Sequence, residues 1–189
     1  CSGGASEIVA EFDIGLMIDL LRRITVLSNK VKEGQWLNWE YRDQTFCLEG
    51  KTIGVIGAGG IGRALLRKCK AFHMRELYYD IYRMPEELEK SMGVEYTDMD
   101  TLLKEADIVV LLVPLTPETK HILGREQFAL MKKTAIIVND SRGACIDQDA
   151  LVEALKSGEI WGAALDVCTP EPLPKDAPIL NIPGANVIV

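Results

Sequence analysis

Apolar residues in this chain fall into short solid runs. Stretches of helical spacing and polar turns separate the runs, and the elements can be read from that rhythm. Ile53, Val55 and Ile56 make a buried strand, and Ile61, Ala64, Leu65, Leu66, Cys69 and Phe72 then follow the 3.6-residue period of a helix. A second apolar strand ends at Asp80. Pro85 opens a short charged helix to about Ser91, and Gly93–Tyr96 is a short strand or connector. Asp98 caps a helix over Met99–Glu105, directly before a strand over Ile108–Val113. Gly124–Lys133 reads as a short helix and Thr134–Val138 as a strand. Asp147 caps a helix over Gln148–Lys156, closed by Gly158, and Ile160–Val167 is the next strand. Cys168–Pro183 carries five of the eight prolines and must be a loop, after which Asn186 starts a last strand. Runs such as IVVLLV and TAIIV suit strands covered on both faces. Strands alternating with helices at this spacing predict an α/β fold with a doubly wound parallel sheet.

The segment ahead of this core differs. Ala5–Leu27 reads as one long helix with a narrow polar stripe of Glu7, Glu11, Asp19 and Arg22 and apolar residues around the rest of its girth. Two readings stand: a central core helix, or a helix buried at a domain or subunit interface. Asp19 and Arg23 are spaced to pair at i, i+4. Val31–Glu49, with Trp36 and Trp39, is an irregular connection whose tryptophans either mark a contact surface or pack across that helix.

The turn between the first strand and its helix is Gly57-Ala58-Gly59-Gly60-Ile61-Gly62, a G-x-G-x-x-G in its required strand–turn–helix setting. Gly57 permits the tight turn, Gly59 lets backbone approach a pyrophosphate, and Gly62 lets helix and strand pack closely. The helix start offers free N–H groups to phosphate. Asp80 follows Gly62 by 18 residues, close to the spacing of about 20 expected of an acid that binds the adenosine ribose. A carboxylate there also repels the extra phosphate of NADP. Together these features predict a Rossmann-type domain that binds NAD; the bland reading is a βαβ unit that binds nothing.

Composition narrows the picture further. At 189 residues, 48% hydrophobic and 26% charged, the chain is expected to form one domain with a sizeable core. A net charge of −7 argues against nucleic acid as a partner. Five cysteines, an odd number with no C-x-x-C pair, point to a reducing, cytoplasmic compartment. No apolar run is long enough for a membrane span and no cleavable leader is visible. A start at Cys1 in place of Met reads as a piece of a longer protein, which leaves open a targeting segment ahead of it.

Each remaining polar cluster follows a strand, where doubly wound sheets bind ligands. Arg142, between Ser141 and Gly143, is placed to hold a carboxylate through a bidentate pair and to polarise an adjacent carbonyl. Glu171, between Pro170 and Pro172, suits a carboxylate that orients a histidine, and Asp166 suits an acceptor for a nicotinamide carboxamide. The bland readings are a surface arginine and a solvated loop acid. Carbonyl reduction needs a proton donor, yet neither His73 nor His121 has the flanking pattern of an acid/base. There is no H-E-x-x-H and no cysteine–histidine cluster, so no metal is expected, and Ser141 is not in G-x-S-x-G.

The ordered motifs VIGAGGIG…YYD, LLVPLTPETKHIL and VNDSRGACIDQDALVEALKSGEIWGAALDVCTPEPLP resemble the D-isomer-specific 2-hydroxyacid dehydrogenases over nearly the whole chain. Within that family LYYD, TPETKHIL and TPEPLP are most similar to glyoxylate/hydroxypyruvate reductases. The resemblance implies that Arg142 binds the carboxylate and carbonyl of a small 2-oxo or 2-hydroxy acid and that Glu171 partners a catalytic histidine. It implies Gly57, Gly59, Gly60, Ile61 and Gly62 around the pyrophosphate and Asp80 at the ribose. Val113, Pro114, Leu115, Thr119, Asp140, Ser141, Arg142 and Asp166 would line the rest of the NAD path. It also implies a homodimer, with residues 1–33 as the interface helix and 51–189 as the Rossmann core. The family's catalytic histidine and substrate domain are expected outside residues 1–189, so this piece should bind NAD and turn over little. Gly60 stands where the family commonly has arginine, and Asp140 is an unusual acid beside Arg142. The alternative class is an NAD-sensing, dimerising regulator such as the related C-terminal-binding-protein corepressors.

Overall fold

The computed structural model describes residues 3–37, 39–184 and 186–189. Seven parallel strands form one sheet in the order β3-β2-β1-β4-β5-β6-β7: β1 (Thr52–Ile56), β2 (Arg75–Tyr79), β3 (Glu95–Tyr96), β4 (Ile108–Leu111), β5 (Ile136–Asn139), β6 (Gly162–Leu165) and β7 (Asn186–Ile188). The helices are α1 (Gly3–Arg22), α2 (Ile24–Lys32), α3 (Gly60–Cys69), α4 (Glu86–Met92), α5 (Met99–Glu105), α6 (Arg125–Leu130) and α7 (Gln148–Ser157). The doubly wound parallel sheet read from the periodicity is present.

Strand side chains alternate between two cores. Ile56, Leu77, Val109, Leu111, Ile137 and Leu165 face α5, α6 and α7, where Leu102, Phe128 and Leu151 meet them. Ile53, Val55, Tyr78, Ile108, Val110 and Val138 face α1 and α3, against Met17, Leu20, Leu65 and Leu66. Burial on both faces is why these strands read as solid apolar runs. Asp98 and Asp147 cap α5 and α7 as expected, accepting from the backbone N–H of Thr101 (2.9 Å) and Ala150 (3.1 Å). Gly158 closes α7 in the left-handed conformation (φ 69°).

The long helix expected over Ala5–Leu27, within residues 1–33, is corrected to two helices. Arg23 takes a left-handed conformation (φ 53°, ψ 38°) and divides α1 from α2. Contacts both near and far in sequence hold the break. The last α1 carbonyls take donors from distant segments: Phe46 N–H reaches Leu21 O and the Asn186 amide reaches Leu20 O, both at 3.0 Å. Asp19 does not pair with Arg23. It accepts from Thr25 N–H (2.7 Å) and Thr25 Oγ1 (2.5 Å) across the break. Nor is α1 buried all round: Ala10, Asp13, Met17, Leu20 and Leu21 face inward, while Ile8 is 69% and Phe12 46% exposed. Val31–Glu49 is irregular beyond the end of α2, and both Trp36 and Trp39 are exposed rather than packed across the helix. Among the described residues no helix is long and apolar enough to cross a membrane.

Candidate functional site

The strand order reverses direction of growth between β1 and β4, and the crevice at their carboxyl ends is where such sheets bind ligands. One wall is the glycine turn. Gly57 has φ +102°, and a Cβ there would stand 2.6 Å from Leu112 O, so only glycine fits. A Cβ on Gly62 would overlap the Gly57 carbonyl oxygen, which makes this helix residue the closest approach of α3 to β1. Gly59 has open space where a Cβ would be. Gly60 opens α3; a Cβ there would lie 2.9 Å from Ser6 Oγ on α1.

Asp80 follows β2 and reaches back to this turn. Its carboxylate accepts from Ala58 N–H (2.7 Å) and Tyr82 N–H (3.0 Å), which aligns the acid with the cradle and leaves it half-buried at the rim. The next cation along, Arg83, is held bidentately by buried Glu89 (2.8 Å and 2.8 Å), and Tyr78 donates to the same carboxylate at 2.5 Å. Arg83 and then Tyr78 hold the Glu89 pKa down to about 2.

The opposite wall is built by loops after β4, β5 and β6. Ile61, Leu112, Val113, Pro114, Leu115, Asp140, Ser141 and Arg142 line a cleft of about 360 Å³. β4 ends at Leu111, earlier than its apolar run, so Val113 lies in the loop. The Thr119 hydroxyl donates to Pro114 O (2.6 Å) and accepts from Thr116 N–H (2.7 Å); it shapes this loop from within. Buried Asn139 clamps the next turn. Its Oδ1 accepts from Ser141 N–H (3.1 Å) and Oγ (2.7 Å), and its amide donates to Arg142 O (3.2 Å). Arg142 itself is exposed, with Nη1 on Ser141 O (2.6 Å) and the rest of its fork available. Glu171 is also exposed and ties its own loop, accepting from Cys168 N–H at 3.0 Å. Gly143 joins the two loops: a Cβ there would overlap the Cys168 carbonyl and come within 2.6 Å of Thr169 Oγ1. The structure therefore gathers Arg142, Ser141, Asp140, Asp166 and Glu171 at the ends of neighbouring strands, across the cleft from the glycine turn. His73 lies at the other edge of the sheet, 3.7 Å from Glu49, and is remote from this group.

Asn139, Gly143 and Asp13 escaped the sequence reading. The first two flank the turn after β5 that carries Arg142. Asp13 falls at the i+3 position between Ala10 and buried Met17, in the middle of the apolar stripe, which was the available signal. It is 0% exposed, and among the described residues neither carboxylate oxygen has a hydrogen-bond partner. Burial, with the nearby charges of Asp140 and Asp166, raises its pKa from 3.8 to about 7. Burial and the Asp166 carboxylate, with which Asp140 shares a hydrogen bond, raise Asp140 to about 6. The stability consequence has a definite sign. The unfolded chain releases the Asp13 proton near pH 4 while the folded chain keeps it, so the charge of Asp13 costs nothing below about pH 4, and that cost grows to its full value above about pH 7. Asp13→Asn is expected to stabilise the fold by roughly 2–4 kcal/mol at pH 8 and by little at pH 4. Thermal unfolding at the two pH values reads this directly, and an equal gain at both would remove charge as the cause.

The cradle suits a dinucleotide. It has glycines where a Cβ would clash, open space over Gly59, an acid aligned on the turn and a cleft leading to Arg142. Known proteins agree. The profile described as "D-isomer specific 2-hydroxyacid dehydrogenase, NAD binding domain" matches residues 14–189. A glyoxylate reductase from Korarchaeum cryptofilum is 46% identical over 99% of this chain and 56% of its own length. A D-3-phosphoglycerate dehydrogenase from Methanocaldococcus jannaschii is 50% identical over 92% of this chain and 33% of its own. A D-isomer specific 2-hydroxyacid dehydrogenase from Lactobacillus delbrueckii ssp. bulgaricus, solved in its NAD-complexed form, superposes with a TM-score of 0.83 at 33% identity, over 97% of this chain and 58% of that one. The chain thus spans about a third to a little over half of the length of these curated relatives. The glycine cradle and the match over residues 14–189 lead to one conclusion: the chain belongs to the D-isomer specific 2-hydroxyacid dehydrogenase family and is its NAD-binding domain.

Proposed function

We propose that the chain is the nucleotide half of an oxidoreductase that moves a hydride between NAD(H) and C2 of a small 2-oxo or 2-hydroxy acid, with glyoxylate or hydroxypyruvate as the favoured substrate. One observation carries the reading: the cleft that begins at the glycine turn ends at exposed Arg142, whose guanidinium, among the described residues, bonds only to Ser141 O. NAD supplies or takes up the hydride when bound. The chain's own residues bind and orient. Gly57–Gly62 and the start of α3 cradle the pyrophosphate, and Asp80 accepts from the ribose. Val113–Leu115 cover the cleft and exclude water, and Asp166, with Asp140, faces the carboxamide. Arg142 grips the substrate carboxylate and polarises its carbonyl. Glu171 orients the imidazole that passes the proton to the carbonyl oxygen. That imidazole is not His73, which lies at the other edge of the sheet; it comes from the part of the relatives' length that this chain does not span. Hydrophobic Ile8 and Phe12 on the outer face of α1 suit a homodimer contact.

Two measurements test this. By calorimetry NAD should bind at least tenfold more tightly than NADP, because Asp80 repels a 2′-phosphate and Glu89 withholds Arg83 from it. Asp80→Ala should narrow that ratio; equal affinities in the wild type would end the role given to Asp80. For the activity, the full-length protein is assayed over a panel of 2-oxo acids with NADH. Turnover of glyoxylate or hydroxypyruvate is expected. A full-length protein that binds NAD, dimerises and reduces none of the panel would favour the regulatory reading.

A further inference from the structure

The nucleotide cleft lies at the carboxyl ends of the strands. A second cavity, of about 400 Å³, opens at the amino ends, on the opposite edge of the sheet. Its lining residues precede strands: Lys133 before β5, Lys156 and Trp161 before β6, Gly184 before β7. Arg23, from the break between α1 and α2, forms its inner wall.

Arg23 is the anomaly. It is only 8% exposed, and its Nε is buried without a hydrogen-bond partner. Among the described residues no carboxylate or carbonyl takes any of its donors. Its guanidinium stands between two rings, 5.1 Å from the centroid of Tyr41 and 5.2 Å from that of Trp161. Burial lowers its pKa from the ordinary arginine value. Cation–π contacts return only part of what taking a charge out of water costs. A buried arginine is nearly always paired, and a planar guanidinium held by stacking keeps its N–H fork free for an oxyanion.

The surroundings share that sign. Lys133 has no ion-pair partner among the described residues, and Lys156 is paired only with exposed Glu153, at 3.2 Å. The Gln44 amide also lines the cavity.

We infer that this cavity is an anion site, separate from the nucleotide cleft, that takes a small oxyanion, either a phosphate monoester or a dicarboxylate. The Arg23 guanidinium grips it while Lys133 and Lys156 flank the entrance. The inference is independent of the dehydrogenase reading, since no residue is shared between the two sites.

Trp161 reports on the site. A Trp36→Phe/Trp39→Phe background leaves it as the one tryptophan of three. Saturating NAD fills the pyrophosphate cradle, and inorganic phosphate and malonate are then titrated in separate arms, each against sodium chloride of equal ionic strength. A saturable change in Trp161 emission is expected that chloride does not reproduce; the arm with the lower half-saturation identifies phosphate or carboxylate as the preferred source. Lys133→Ala/Lys156→Ala, both at exposed positions away from the core, should raise the half-saturation at least about tenfold. Arg23→Lys should weaken it, and Arg23→Met should abolish it in protein whose NAD affinity is intact. A response equal to that of chloride, or one unchanged in the double lysine variant, overturns the site. The lysine variant keeps the test decisive if Arg23→Met fails to fold.

Discussion

Gly62→Ala is expected to lower NAD affinity about 100-fold, about 2.7 kcal/mol, and to lower the unfolding temperature as well. Gly59→Ala is expected to lower affinity at least tenfold with the unfolding temperature unchanged. The contrast follows from what each Cβ would meet. At Gly62 it overlaps the Gly57 carbonyl oxygen and lies 3.2 Å from Val55 Cγ1, so α3 must withdraw from β1. Overpacking of this kind costs about 1–3 kcal/mol, and the backbone that moves is the cradle itself: Gly57 N–H is bonded to Tyr79 O at 2.9 Å, beside Asp80. At Gly59 no atom lies within 4 Å of a Cβ, and φ is −68°, which any residue adopts. The methyl group then meets nothing until a pyrophosphate arrives. Calorimetry of NAD binding and thermal unfolding of both variants separate the two effects. A Gly59→Ala protein that binds NAD as well as the wild type would displace the pyrophosphate from this turn. A Gly62→Ala protein with unaltered melting would contradict the close packing of α3 on β1.

The sheet was readable from residues 51 onward because both its faces are covered. Each strand then shows as a solid apolar run, and its turns carry caps and glycines with local causes, as at Asp98, Asp147 and Gly158. Site positions were readable for a related reason, since in a parallel sheet every loop at the ligand-binding edge follows a strand. What stayed hidden depends on contacts distant in sequence. The break at Arg23 is fixed in part by Phe46 and Asn186 taking the last carbonyls of α1, and only the Asp19–Thr25 contact lies within residues 5–27. Helical spacing alone could not tell that the outer stripe with Ile8 and Phe12 would stay open while α3 covers the inner one. The spacing of Asp13 from Ala10 and Met17 places it on the apolar stripe, but only the packed α1 shows it unpaired among the described residues and near Asp140 and Asp166. Gly143 was read as a turn residue, although its necessity comes from a loop about 25 positions further on.

Removing the Arg142 side chain in the full-length protein should produce the largest catalytic loss. Arg142→Ala is expected to lower kcat/KM for 2-oxo acids about 10³-fold, about 4 kcal/mol, with NAD affinity changed less than threefold. The size follows from two roles lost together, a charge-assisted bidentate pair with the carboxylate and polarisation of the carbonyl as charge develops on it. Arg142→Lys should recover part of the binding through its point charge and little of the fork geometry. Gly143→Ala tests the placement and leaves the guanidinium in the protein. Its Cβ drives the turn that carries Arg142 away from the Cys168 carbonyl, and so away from the loop on which Glu171 is tied to Cys168 N–H. A displacement of about 1 Å between reacting groups costs about 10²-fold, so kcat/KM should fall by about that factor while the carboxylate still binds and KM rises modestly. Steady-state kinetics on both variants, with NAD titrations alongside, distinguish an arginine that acts from one that decorates the surface. An Arg142→Ala enzyme with an unchanged rate would remove Arg142 from the mechanism. A Gly143→Ala enzyme as active as the wild type would show that the register between the loops after β5 and β6 does not set the geometry of the site.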